Sequence, residues 1–107
     1  GNATAITIDS SENVTLAGNI LHAGDLTLDV AGDITLDADG DEIFFKRGGV
    51  SSGKILMAST VFSIGSEENN GDVKIIGIDG GAGITACTFD MSAAGAATFN
   101  SGLNGRD

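Results

Sequence analysis

An all-β fold of short, repeated strands, β-prism- or β-helix-like in kind, is predicted by three observations. The phrase Ile6-Thr7-Ile8-Asp9 returns as Val14-Thr15-Leu16-Ala17, Leu26-Thr27-Leu28-Asp29 and Ile34-Thr35-Leu36-Asp37. Each copy alternates apolar and polar residues, so both aliphatic side chains fall on one face of a strand and Thr falls on the other. The chain also has no Pro to interrupt a ladder, while β-branched Ile, Val and Thr crowd the repeats.

A strand of this kind carries one thin apolar stripe and cannot cover it alone. Its neighbours are either further turns of the same chain or other copies of it. Composition bears on the choice. Trp and Tyr are absent, five Phe are the only aromatic residues, 17 residues are Gly, and Ala makes up a large share of the 41% apolar fraction. A compact monomer of 107 residues would bury roughly two-thirds of its unfolded surface. With bulky side chains this scarce, a self-sufficient core is not expected.

The elements follow in order. From Ile6 to Val14 and from Leu26 to Ile34 the step is eight residues, and Gly24, Gly32 and Gly40 keep the same interval. About four residues of strand and four of turn fill it, with Gly supplying the positive φ of tight turns and Asp25, Asp33 and Asp41 able to bond back to the turn. Residues 1–46 therefore read as a repetitive β shaft. Its longer step of twelve, between Leu16 and Leu28, fits poorly with a single-chain solenoid.

Residues 47–107 read as a broader β unit continuous with that shaft. Arg47 to Gly53 is expected to be a flexible loop. Lys54 to Gly65 is apolar enough for two strands, a short helix over Ile55 to Thr60 being the competing reading. Glu67 to Gly71 carries an Asn-Gly signal and reads as a hairpin-type turn before the strand Val73-Lys74-Ile75-Ile76. Ala86-Cys87-Thr88-Phe89-Asp90 recurs as Ala96-Ala97-Thr98-Phe99-Asn100, which predicts a C-terminal hairpin or two successive rungs.

The formal net charge is −10, from fifteen acidic and five basic residues. This repels phosphates and disfavours nucleic-acid binding; it also keeps β edges soluble. No apolar run reaches the length of a membrane span, so membrane insertion is not expected. The single Cys87 forms no intrachain disulfide and reads as a small buried residue of a strand.

Few motifs carry chemical content. Gly48 to Lys54 has the spacing of a phosphate-cradling loop, but Ile55 stands where Ser or Thr would hold Mg²⁺. Asp37, Asp39, Asp41 and Glu42 resemble the opening of a calcium loop and are the one weak candidate metal set. Glu42 there replaces the Gly of the sharp turn, and Gly48 falls where the bidentate Glu belongs, so a solvated acidic turn is the better reading. His22 is the lone histidine and has no nucleophile and acid at triad spacing. No catalytic residue and no cofactor is assigned, and the chain reads as a non-enzyme. Candidate assembly residues are Ile6, Ile8, Val14, Leu16, Leu26, Leu28, Ile34 and Leu36, with Gly24, Gly32 and Gly40 as turns.

Several longer phrases carry a family likeness. Val14 to Ile20, Leu28 to Gly40, Ile43 to Gly49 and Met91 to Asn100 resemble the repetitive parts of tail fibre and related virion appendage proteins of tailed bacteriophages, especially marine ones. The basic pair Lys46-Arg47 stands where that phrase more usually carries an acid. The resemblance implies an elongated, intertwined homotrimeric fibre in the virion, with other virion proteins as neighbours and with host surface glycan or protein met by distal parts. The chain begins in the middle of a pattern and stops soon after one at Gly102-Leu103, and is expected to be a segment of something longer. Expected function is a shaft or connector; the alternatives are a bacterial cell-surface adhesin or extracellular filament subunit, and an appendage depolymerase cutting host polysaccharide.

Overall fold

The computed structural model of the chain describes residues 4–104; the start of the first phrase at residues 1–3 lies outside them. Described residues form eight strands and no helix: β1 (Ile6–Ile8), β2 (Val14–Leu16), β3 (Glu42–Arg47), β4 (Val50–Ala58), β5 (Val61–Ser66), β6 (Val73–Asp79), β7 (Ala82–Asp90) and β8 (Ala96–Phe99). They make three small antiparallel sheets, β1-β2, β3-β4-β5 and β6-β7-β8. Contacts divide the chain into two units, Gly1–Thr35 and Leu36–Asp107.

In the first unit the opening two repeats pair with each other. Ile6 lies opposite Leu16, Thr7 opposite Thr15 and Ile8 opposite Val14, so all four aliphatic residues share one face and both Thr share the other, as the alternation requires. The connection is closed by Asp9. Its carboxylate accepts from the Ser11 N–H at 2.8 Å, the Asn13 N–H at 3.0 Å and the Asn13 side-chain amide at 3.0 Å. Glu12 takes the positive φ in that loop.

The later repeats differ from expectation. Leu26 to Leu28 and Ile34 to Leu36 form no ladder among the described residues, yet the backbone bends at Ala23-Gly24 and Ala31-Gly32 and turns at Asp39-Gly40. The eight-residue interval thus survives as a period of bends. Positive φ is not its means: Gly24, Gly32 and Gly40 all lie outside that region. At the third turn the left-handed residue is Asp41, whose N–H bonds the Ala38 carbonyl at 3.1 Å. Asp tolerates this conformation because its short polar side chain can bond locally.

Glycine does supply positive φ in the second unit. Arg47 to Gly53, expected to be a flexible loop, is a tight hairpin: Arg47 pairs with Val50 across Gly48 and Gly49, with φ of 58° and 86°. Asp79 pairs with Ala82 across Gly80 and Gly81, with φ of 57° and 88°. Two consecutive positive φ values are the signature of the type I′ turn, whose twist matches its flanking strands. β3, which sequence placed with the shaft, is laddered to β4 and belongs to this unit.

Lys54 to Gly65 forms two paired strands, Ala58 lying opposite Val61 across Ser59-Thr60. Glu67 to Gly71 does turn, through a Gly71 N–H to Glu68 carbonyl bond of 2.9 Å, but it joins two sheets and is not a hairpin. The two C-terminal phrases form the β7-β8 hairpin, with Phe89 opposite Ala97 and Cys87 opposite Phe99. Cys87 also lies opposite Ile75, and with 4% exposure it is the one buried apolar residue among those described. A bulge follows: Ile76 pairs with Thr85, leaving Ala86 unopposed. Along β6, Val73 and Ile75 face one side of the sheet while Ile76 and Ile78 face the other.

Candidate assembly surface

Total accessible surface is 9346 Å² for a mass of 10.7 kDa. A compact monomer of that mass exposes about 5,500 Å². The difference is apolar in its most visible part. All eight repeat aliphatics, Ile6, Ile8, Val14, Leu16, Leu26, Leu28, Ile34 and Leu36, remain 40% to 67% exposed. In the first unit the Ile6, Ile8, Val14 and Leu16 face is therefore an open apolar patch rather than the inside of a core.

The second unit adds a surface that sequence reasoning did not assign. Ile43, Ile55 and Ile64 lie in one cross-strand row, and Phe45, Met57 and Phe62 fall on the same face two residues away along their strands. Phe45, Phe62 and Ile64 are exposed at 55%, 65% and 67%. Beside this face Ile64 lines an open recess of about 420 Å³ together with Val73, Lys74, Ile75, Phe89 and Met91. The alternation Val61-Phe62-Ser63-Ile64 was the available signal. It marks a strand but leaves open whether the apolar side meets the chain's own core or another molecule.

Opposite that face sits a small ionic cluster. Lys54 Nζ lies 2.8 Å from Glu42 Oε1 and 3.0 Å from Glu67 Oε1, with the three side chains 25% to 29% exposed. Hydrogen bonding to Glu42 first, and to Glu67 second, raises the Lys54 pKa above its usual value. Lys46 Nζ stands 5.8 Å over the Phe44 ring on the same strand. Glu42 is thereby turned to a cation within the chain.

Within the acidic set Asp37, Asp39, Asp41 and Glu42, the Glu42 carboxylate is turned to Lys54, while Asp41 takes the positive φ of the backbone turn. Among the described residues no group of three or more His, Cys, Asp or Glu side chains is placed to hold a metal ion. His22 Nδ1 accepts the Gly24 N–H at 3.1 Å, a local bond that shapes the first bend.

Asp90 repeats at the end of β7 what Asp9 does at the end of β1. Its carboxylate accepts from the Ser92 hydroxyl at 2.6 Å and the Ala93 N–H at 3.1 Å, closing the loop to β8. The Asn13 side-chain bond is the main cause that holds Asp9 below the usual carboxylate range, and the Ser92 hydroxyl does the same for Asp90.

No family model matches the chain, and no curated protein or solved structure matches it either.

Proposed function

We propose that the chain is a shaft or connector segment of a homotrimeric bacteriophage tail fibre. In this reading three copies run side by side in a β-prism-like rod, each offering its stripe of Ile6, Ile8, Val14, Leu16, Leu26, Leu28, Ile34 and Leu36 to the other two. The observation that carries it is the pairing of an eight-residue period of bends with apolar residues that the chain itself leaves uncovered. Segments that turn on a regular interval without a ladder of their own have backbone groups and side chains to give to a neighbour. Each aliphatic side chain so covered contributes about 1.5–3 kcal/mol before ordering entropy is subtracted.

The role is mechanical. Ladders between chains resist bending, the net charge of −10 keeps rods apart, and host contact belongs to other parts of the virion. Multi-angle light scattering of the protein, read against concentration, tests the reading. Three chain masses and a melting temperature that rises with concentration are expected, because folding and assembly are then one equilibrium. A β-rich sample of one chain mass at every concentration overturns it.

A further inference from the structure

The two three-stranded sheets are asymmetric in their edges. Glu67 donates its N–H to the Ser52 carbonyl at 3.0 Å, so along β5 the N–H groups of Gly65, Ser63 and Val61 also point into the ladder. Those of Phe62, Ile64 and Ser66 point outward. By the same alternation the Asn100 N–H bond to the Ala86 carbonyl, 3.0 Å, leaves Ala97 and Phe99 directed outward from β8. Met57 N–H bonds the Asp41 carbonyl at 2.8 Å, which leaves Glu42, Phe44 and Lys46 outward on β3.

One edge of each sheet therefore carries charge, β3 with Glu42 and Lys46, β6 with Lys74 and Asp79. The other edges, β5 and β8, carry none. Charged residues are how exposed edges repel unwanted strands; a bare edge of Val, Phe and Ile invites one. At Phe62 and Ile64 the outward backbone groups belong to residues that are 65% and 67% exposed, beside the Ile64 recess.

We infer that β5 of one copy pairs with β8 of a second copy, joining the sheets into a seam between chains. This deepens the trimer reading, since a contact between two different edges closes a ring when repeated about a three-fold axis. The occupant is a copy of this chain because each copy carries both halves of the contact, one uncharged edge strand at β5 and another at β8, so the pairing needs no second species and brings no charged strand residue against another.

The test uses the full chain. Pro at Ile64 or at Phe99 removes only an outward N–H and spares the chain's own ladders. Each of Ile64→Pro and Phe99→Pro is expected to raise the concentration needed for assembly at least about tenfold with an unchanged far-UV spectrum. Hydrogen exchange of the wild-type protein supplies a second readout that needs no variant: the amides of Phe62, Ile64, Ala97 and Phe99 should slow on assembly. If the wild type assembles, both variants assemble normally and these amides do not slow, the seam is overturned while the trimer reading stands. If only one edge responds, the β5-β8 pairing is overturned. If these amides are already slow in the dilute single chain, some segment of the chain itself covers them and the seam is again overturned. A wild type that never exceeds one chain mass overturns both seam and trimer.

Discussion

Lys54 Nζ holds Glu42 Oε1 at 2.8 Å across the β3-β4 ladder, on the face opposite the Ile43, Ile55 and Ile64 row. Glu67, just beyond β5, reaches the same ammonium at 3.0 Å. One cation thus ties all three strands of the sheet from its polar side. Replacing it leaves two carboxylates facing each other, so Lys54→Met is expected to lower the melting temperature of the second unit, and Glu42→Gln to lower it less. Because the Lys54 pKa is raised, its contribution is fully present below the ordinary lysine value of 10.5 and is lost as pH rises through the higher folded value. Far-UV melts from pH 9 to 12 read this directly, the chain having no Tyr to ionise in that range.

Asp9 and Asp90 act in the opposite pH direction. Both are held below the usual value of 3.8, so what they contribute is present above that value and is lost as pH falls through the lower folded one. Asp9→Ala is expected to abolish the cross-strand signals between Ile6 and Leu16 in an NMR spectrum and to leave the β6-β7-β8 signals in place. Asp90→Ala should loosen the β7-β8 hairpin and spare β1-β2.

Cys87 lies between Ile75 and Phe99 with almost no solvent contact. Its thiol is expected to resist a water-soluble thiol reagent until the sheet opens, with labelling tracking the melting curve. Cys87→Ser buries a hydroxyl there and should cost about 1–3 kcal/mol in denaturant titration; Cys87→Ala should cost less than the Ser variant.

Gly71 is constrained by contact rather than by φ. A methyl group there would collide with the Ser66 hydroxyl and come within 2.8 Å of the Glu68 Cβ. Gly71→Ala is expected to disturb the link between β5 and β6 and lower cooperativity of melting. Gly49→Val and Gly81→Val, at φ of 86° and 88°, should each cost about 1–2 kcal/mol through left-handed strain.

Strand positions outside the two later repeats were legible because alternation is a local property. The two strands within Lys54 to Gly65, and those at Val73 to Ile76 and Ala86 to Asp90, could be read from side-chain type, and Ile6 to Ile8 placed its aliphatics on the expected face, whereas Leu26 to Leu28 and Ile34 to Leu36 alternate equally well and form no ladder among the described residues. Glycine roles were less legible. A Gly at a fixed phase signals a bend, but its φ depends on which neighbour takes up the turn, and at Asp39-Gly40 that neighbour is Asp41. The loop expected at Arg47 to Gly53 became a hairpin because Gly48-Gly49 suits a two-residue turn and Val50 to Gly53 then extends the ladder to Phe45. The apolar face of Phe45, Phe62 and Ile64 was the least legible, since alternation shows that a face exists and not who covers it.

The alternation along β6 bears on how copies can be set against each other. Val73 and Ile75 are greasy on one side of their sheet and Ile76 and Ile78 on the other, with the Ala86 bulge between. One flat neighbour can therefore shelter only one of the two pairs, and covering both takes contacts on the two opposite faces of the same sheet.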